Sequence, residues 1–131
     1  MPLARIDLQQ GKSPEYRSQV GLVVYQALLD CFSVPKNDLF QIITEHPKAE
    51  LQFDRTYLGI HRTDDNIFIQ VTLSTGRTVE MKQRFYKQIA DALHRTLKLR
   101  REDVFINLVE VPKENWSFGK GEAQYVSVPA K

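Results

Sequence analysis

The chain has 131 residues, of which 42% are apolar and 26% are charged, as is typical of one globular domain with a modest core. Its formal net charge of +2 is too small to indicate nucleic-acid binding, and no basic and aromatic stripe adds to it. No apolar stretch approaches the roughly 20 residues that cross a membrane. Cys31 is the only cysteine, which excludes an intrachain disulfide and is typical of a reducing compartment. We therefore expect a cytoplasmic protein without nucleic-acid or membrane partners.

The first residues alternate between apolar and polar side chains. Ala4, Ile6 and Leu8 share one parity, which predicts a β-strand over residues 2–8 with its even-numbered face buried. Pro2 is tolerated there because no ladder N–H is required at the first residue of a strand. A second interpretation is that Met1 is removed, as initiator methionine usually is before a small residue. Pro2 would then carry a free secondary amine at the edge of a sheet.

The two halves of the sequence match without a gap at an offset of 65 residues, which for example superimposes Asp38 on Asp103. The matching segments are LQQGKSPE (8–15) with LSTGRTVE (73–80), and VPKNDLFQIITEHP (34–47) with LRREDVFINLVEVP (99–112). We interpret this match as an internal duplication. The chain is expected to be a single domain, 1–131, with pseudo-repeats of about 2–65 and 67–131.

Each half predicts the same order of elements. A first strand (2–8, 67–74) leads to a glycine turn and a helix N-cap, Ser13 or Thr78, and a second strand follows the helix (39–45, 104–110). Right-handed crossovers make the strands of each β-α-β unit parallel. The sequence thus predicts an α+β fold with a four-stranded sheet and both helices on one face. Residues 51–53 and 116–118 are predicted as short hairpin strands, and the uncovered apolar sheet face predicts association.

An N-terminal proline, a β-α-β unit and a Gly-(Lys/Arg)-(Ser/Thr) sequence opening each helix resemble the tautomerase superfamily. The chain is most similar to the malonate semialdehyde decarboxylase group, through TEH (44–46), FYK (85–87) and above all WSFGKGEAQY (116–125). The resemblance implies a homotrimer of fused β-α-β units without a cofactor, in which Pro2 supplies the chemistry. Pro2 aligns with Ile67 in the repeat, so the fold itself does not require proline at this position.

A prolyl amine supports several reactions of oxo acids. When neutral it can take an α-proton or attack a carbonyl to form an iminium, and when protonated it can polarise a carbonyl oxygen. Asp38, which follows VPKN (34–37), matches the aspartate that the family has at this position. It is the candidate for tuning the pKa of this amine. Because Asp103 occupies the equivalent place in the second half, both aspartates alternatively shape a turn before a strand.

Arg77 directly precedes the N-cap Thr78, where a cation opposes the helix dipole. A substrate carboxylate would explain this placement, since a guanidinium binds carboxylate through two parallel hydrogen bonds, although a solvated arginine is the alternative. The decarboxylase motif carries two arginines as Ser-Arg-Pro-Arg, whereas this chain has STGR (74–77) with Thr75 in place of the first. This departure puts decarboxylation of malonate semialdehyde itself in doubt.

Trp116, Phe118 and Tyr125 match aromatic positions that wall the pocket in the family, and with Thr75 they are the expected substrate-binding residues. Apolar walls would exclude water and lower the pKa of an amine. No metal is expected, because the three histidines lack ligand-like spacing and only one cysteine is present.

These residues predict an enzyme that acts on small oxo or enol carboxylates through Pro2, with Asp38 and Arg77 as catalytic partners. Resemblance favours a lyase similar to malonate semialdehyde decarboxylase. A keto–enol tautomerase or a hydratase of a related acid is the alternative that Thr75 favours. A trimeric binding module without activity is a further alternative, but such a module would not need both Pro2 and Arg77.

Overall fold

The computed structural model describes residues 1–126; residues 127–131, the end of the predicted second repeat, lie outside the described part. The chain forms two β-α-β units in sequence, joined by a long connection that contains short 3₁₀ turns. The elements are β1 (Pro2–Gln9), α1 (Pro14–Phe32), β2 (Gln41–His46), β3 (Ile67–Ser74), α2 (Val79–Leu97) and β4 (Val104–Val111). The four strands predicted for the two β-α-β units and both predicted helices are confirmed.

The four strands form one mixed sheet in the order β2-β1-β3-β4. β1 and β2 are parallel, β3 and β4 are parallel, and the two units meet through the antiparallel pair of β1 and β3. The predicted α+β class is therefore confirmed. The first strands and the helices of the two units begin 65 residues apart, as Pro14 of α1 and Val79 of α2 do, and each helix has 19 residues.

Both helices begin as the sequence predicts. The side-chain oxygen of Ser13 accepts a hydrogen bond from the Tyr16 backbone N–H at 3.1 Å, and Thr78 accepts one from the Met81 N–H at 3.2 Å. Such caps satisfy backbone donors that the first turn of a helix leaves unpaired. Gly76, two residues before Thr78, has φ of 123°, a conformation that favours glycine.

The core lies between the sheet and the two helices. Ala4, Ile6 and Leu8 of β1 are no more than 2% exposed, which confirms the predicted buried face of this strand. The helices meet above them, where the rings of Phe32 and Phe85 stack at a centroid distance of 4.6 Å. Within residues 1–126, neither helix is both long and apolar enough to span a membrane.

The opposite face of the sheet carries exposed apolar side chains. Ile42, Phe105 and Val109 are 41%, 44% and 37% exposed, and Phe68 packs against Phe105 at a ring distance of 5.1 Å. Phe53 covers the other side of Phe68 at 5.7 Å. This arrangement leaves an apolar surface on the face that the helices do not cover.

The prediction of hairpin strands at residues 51–53 and 116–118 is wrong, because both segments lack regular secondary structure. A 3₁₀ turn precedes each of them, Lys48–Glu50 and Lys113–Asn115. Neither segment pairs with a strand of the sheet within residues 1–126. The two segments contribute aromatic side chains instead.

Candidate active site

The register of the sheet brings distant parts of the chain together at one end, which we call the Pro2 end. Pro2 lies opposite Leu73 in the antiparallel pair, so residue 1 is level with Ser74. Ala4 lies opposite Gln41 in the parallel pair, so the segment before β2 reaches the same level. β4 also ends here, since Val111 pairs with Ser74. The starts of β1 and β2 therefore meet the ends of β3 and β4.

A cavity of about 430 Å³ opens at the Pro2 end. Three of the predicted site residues, Thr75, Arg77 and Tyr125, line it together with Met1, Ser74 and Lys113. Pro2 follows Met1 directly and is buried in the sheet. The fold thus brings together residues that are as much as 124 positions apart (Met1 and Tyr125).

The N-terminal amine faces Asp38. The Met1 nitrogen lies 4.0 Å from Asp38 Oδ2, and the Asp38 side chain is 9% exposed. Its other oxygen, Oδ1, is buried and has no hydrogen-bond partner within residues 1–126. An unpaired buried carboxylate oxygen is costly, and Oδ1 can still accept a hydrogen bond.

Burial and nearby charges shift the pKa values of Asp38 and of the N-terminal amine. Burial raises the pKa of Asp38 above its ordinary value, and the nearby amine partly opposes this. The pKa of the N-terminal amine is lowered, first by burial and then by the positive charges of Arg77 and Lys113, while Asp38 opposes the change. An amine with a lowered pKa is present as the free base in a larger fraction at neutral pH.

Arg77 is anchored by backbone groups. Its Nη1 donates to the Ser74 carbonyl at 2.8 Å, its Nη2 to the Phe32 carbonyl at 3.4 Å, and its guanidinium lies 5.6 Å from the centre of the Phe32 ring. These contacts give a structural reason for a cation at the start of α2. They also hold the guanidinium at the cavity wall, where it forms no ion pair with a carboxylate of residues 1–126.

The aromatic residues form a connected cluster beside the cavity. Trp116 and Phe118 stack at 5.4 Å, and Phe118 meets the edge of Tyr125 at 4.9 Å. Trp116 Nε1 also donates to Ser74 Oγ at 3.2 Å. Tyr125 is the member that lines the cavity, whereas Phe118 packs between Trp116 and Tyr125 and holds both in place. Burial, with a contribution from Asp38, raises the pKa of Tyr125.

Sequence reasoning missed Ser74 and Lys113. Ser74 is buried at 6% exposure and connects Trp116 to the loop that carries Arg77. Lys113 belongs to no recognisable motif and reaches the cavity because β4 ends there. The one signal in the sequence was the repeat, in which Lys113 corresponds to Lys48.

Met1, two cations and Tyr125 therefore line one cavity, and Asp38 lies 4.0 Å from the Met1 amine. The amine and Asp38 can exchange a proton with a bound molecule, and the cations suit an anion. Among residues 1–126, no three His, Cys, Asp or Glu side chains are grouped so that they could hold a metal ion.

Two family models described as tautomerase enzymes match this chain, one over residues 38–119 and the other over residues 2–59. The chain is 39% identical to a probable tautomerase of Bacillus subtilis (strain 168), YusQ, over 126 residues, which are 96% of this chain and 99% of that protein. The chain belongs to the tautomerase family.

Solved structures of malonate semialdehyde decarboxylase are also similar. One, inhibited by 3-bromopropiolate, is 35% identical with a TM-score of 0.88, covering 97% of this chain and 99% of that one. Another, described with decarboxylase and hydratase activities, is 32% identical with a TM-score of 0.87, covering 94% of this chain and 95% of that one. The similarity to the decarboxylase group thus extends over nearly the whole chain.

Proposed function

We propose that the protein acts on small oxo or enol carboxylates through the amine of Pro2, after removal of Met1. The observation that carries this proposal is the position of the N-terminus: the Met1 amine lies 4.0 Å from Asp38 Oδ2, at a cavity that Met1 and Arg77 both line. Removal of Met1 would transfer the amine to Pro2, one residue further into β1, and would enlarge the cavity. Pro2, Asp38 and Arg77 are the proposed catalytic residues.

Arg77 binds the substrate carboxylate through the N–H groups that its backbone contacts leave available. Thr75 and Tyr125 contact the substrate, and Trp116 and Phe118 support the apolar wall. In a tautomerisation, neutral Pro2 takes the α-proton, the electron pair of that C–H bond forms an enolate, and the ammonium returns the proton to another atom. Asp38 stabilises the ammonium form during this cycle.

In a decarboxylation, protonated Pro2 donates a hydrogen bond to the carbonyl oxygen of a 3-oxo acid. The carbon–carbon bond to the carboxylate breaks, carbon dioxide leaves, and the electron pair moves into the enolate, which is then protonated on carbon. Apolar walls favour this step because the reacting carboxylate loses its charge. We propose this lyase reaction as the main activity, since the similarity to two malonate semialdehyde decarboxylases supports it.

Keto–enol tautomerisation, or hydration of a related unsaturated acid, is the second candidate. Thr75 favours it, because this residue stands where the decarboxylase motif has an arginine. A binding module without activity is less well supported, since a bound anion alone would not require a buried amine next to a buried carboxylate. We also propose a homotrimer, in which the apolar sheet face is covered by other copies of the chain.

The test combines mass spectrometry with kinetics. Intact mass should show that Met1 is absent, and a panel of oxo and enol acids should reveal enol loss, decarboxylation or hydration. On the acid so identified, Pro2→Ala should mainly lower kcat, because a less basic primary amine remains at the same place. Arg77→Ala should lower kcat/KM by about ten- to a hundredfold, the usual loss for a charge-assisted pair.

Lys12→Ala is the matched control, since Lys12 corresponds to Arg77 in the repeat and lies at the other end of the sheet. It should leave the kinetics unchanged. Retention of Met1 in the active protein would exclude Pro2 as the reacting amine. Unchanged activity in both Pro2→Ala and Arg77→Ala would place the active site elsewhere.

A further inference from the structure

The end of the sheet opposite the Pro2 end contains the repeat equivalents of the site residues, and we call it the Ile67 end. The duplication provides an internal comparison, because equivalent positions differ by 65 residues in number and share one local fold. Pro2, Asp38, Arg77 and Lys113 correspond in this way to Ile67, Asp103, Lys12 and Lys48. Both ends thus carry two cations and one aspartate in the same arrangement.

At the Ile67 end, each cation is paired with a carboxylate of the connection between β2 and β3. Lys12 Nζ lies 2.8 Å from Asp65 Oδ1, and Lys48 Nζ lies 3.1 Å from Asp64 Oδ2. These two aspartates occupy the space beside Ile67, where only about 10 Å³ is left open. Asp64 also pairs with Arg55 at 2.7 Å. The Ile67 end therefore contains two neighbouring carboxylates beside its two equivalent cations.

At the Pro2 end, the equivalent cations have no such partners. Neither Arg77 nor Lys113 forms an ion pair with any carboxylate in the described part of the chain. Both line the cavity of about 430 Å³ together with Met1, which corresponds to Asn66 in the repeat. The cavity thus presents two cations to a ligand, whereas the equivalent cations of the repeat are paired with carboxylates.

The aspartates differ in the same way. Asp103 is fully buried, and both of its oxygens accept hydrogen bonds from Thr63, at 2.7 Å from the backbone N–H and 2.6 Å from the hydroxyl. Asp38 is the equivalent residue, yet its buried Oδ1 has no partner within residues 1–126. Asp38 therefore lacks the local donors that Thr63 supplies to Asp103, and the charged group beside it is the Met1 amine, 4.0 Å from Oδ2.

We infer that Lys113 is a specificity-determining residue, and that the site prefers substrates with two carboxylates, one bound by Arg77 and the other by Lys113. The inference rests on the proposed function and narrows its substrate class to short oxo dicarboxylates. We expect these substrates to be short, because the two carboxylates at the Ile67 end belong to consecutive residues, Asp64 and Asp65. Lys113 would also supply the second cation of the site, since Thr75 stands where the decarboxylase motif has an arginine.

The experiment measures binding without turnover. Titration calorimetry uses the wild-type protein from which Met1 has been removed. It compares the affinity for glutarate with that for pentanoate, and the affinity for succinate with that for butanoate. The two acids of each pair differ only in one terminal carboxylate. Wild type should bind the diacid at least tenfold more tightly, and salt should weaken that preference. Lys113→Gln should abolish the preference while leaving the affinity for the monoacids unchanged.

Lys48→Gln is the matched control, because Lys48 is the repeat equivalent of Lys113 and is paired with Asp64 at the other end of the sheet. It should retain the full preference for diacids. Equal binding of diacids and monoacids by wild type, a loss in Lys113→Gln that is equal for both, or no binding of any of the four acids at millimolar concentration would overturn the inference.

This outcome is separable from the test of the proposed function. If Lys113→Gln leaves the diacid preference intact while Pro2→Ala is slow, the reaction through Pro2 stands and the substrate class is wrong. If Lys113→Gln abolishes the preference while Pro2→Ala is fully active, the two-cation site stands and the assignment of the reacting amine is wrong.

Discussion

Asp38 and Asp103 are the same residue type at equivalent positions of the two repeats, but their surroundings give them different roles. Asp103 receives both of its hydrogen bonds from Thr63 and lies 3.6 Å from Arg100, as a residue that organises a turn does. Asp38 has a raised pKa because of burial, and the amine lies beside it. Asp103 therefore has local hydrogen-bond donors, whereas Asp38 lies beside the N-terminal amine, as its proposed catalytic role requires.

We expect Asp38→Asn to move the pH–rate profile toward lower pH. Burial, Arg77 and Lys113 lower the pKa of the Met1 amine, and the carboxylate of Asp38 raises it; we expect the same effects on the Pro2 amine once Met1 is removed. Removing the negative charge leaves only the lowering effects, so the limb that reports the amine should shift to lower pH. Steady-state kinetics across the pH range would measure this shift.

Asp103→Asn is the control for that shift. It should reduce stability by about 1–3 kcal/mol, because donors of Thr63 lose a buried acceptor, and it should leave the pH–rate profile in place. Asp38→Asn should not reduce stability at neutral pH, since the raised pKa of Asp38 means that its charged form is disfavoured in the folded protein. A shift of the profile in Asp103→Asn alone would contradict these roles.

At the scale of elements, the two helices begin with equivalent caps but stand next to different structures. Ser13 opens α1 near the Ile67 end, where Lys12 is paired with Asp65. Thr78 opens α2 directly after Arg77, whose guanidinium is held by backbone carbonyls at the cavity wall. The start of α2 therefore positions a residue of the site, whereas the start of α1 does not.

We expect Ser13→Ala and Thr78→Ala each to lower the free energy of unfolding by about 0.5–2 kcal/mol, the usual loss of an N-cap. Only Thr78→Ala should also raise KM, because a frayed first turn of α2 would allow Arg77 to move. Denaturant unfolding and steady-state kinetics on the same proteins would measure both effects. If KM rises equally in Ser13→Ala, the rise in Thr78→Ala results from reduced stability and not from movement of Arg77.

At the scale of the whole molecule, the apolar sheet face is the feature that a single chain leaves incomplete. Its exposed side chains include Ile42, Phe105 and Val109, and the edge strands β2 and β4 have unpaired backbone groups. Burial of such a face against other copies in a closed ring would satisfy both features. The duplicated fold suits this arrangement, because its two units present similar surfaces.

We expect light scattering to report a homotrimer at micromolar concentration. Phe105→Glu should weaken the assembly, because a carboxylate would be placed on the face that has to be buried. Circular dichroism would check that the variant retains its helices. A stable wild-type monomer at that concentration would contradict the proposed assembly.

Local patterns in the sequence were sufficient for the elements of this fold. Alternation predicted the buried face of β1, and the Ser13 and Thr78 caps predicted where both helices begin. Each of these depends on residues within a few positions of one another. The prediction of hairpin strands at residues 51–53 and 116–118 was wrong, because strand formation depends on a distant partner strand as well as on local sequence, and these segments pair with none within residues 1–126.

The sequence by itself determined the duplication, the order of strands and helices, and the candidates Pro2, Asp38 and Arg77. Only the tertiary structure decided which residues share one cavity, because the register of four strands places Lys113 and Ser74 beside the N-terminal amine. The tertiary structure also separated Asp38 from Asp103. Equivalent residues in a repeat have the same local sequence signals, and they differ only through the distant groups that fold against them.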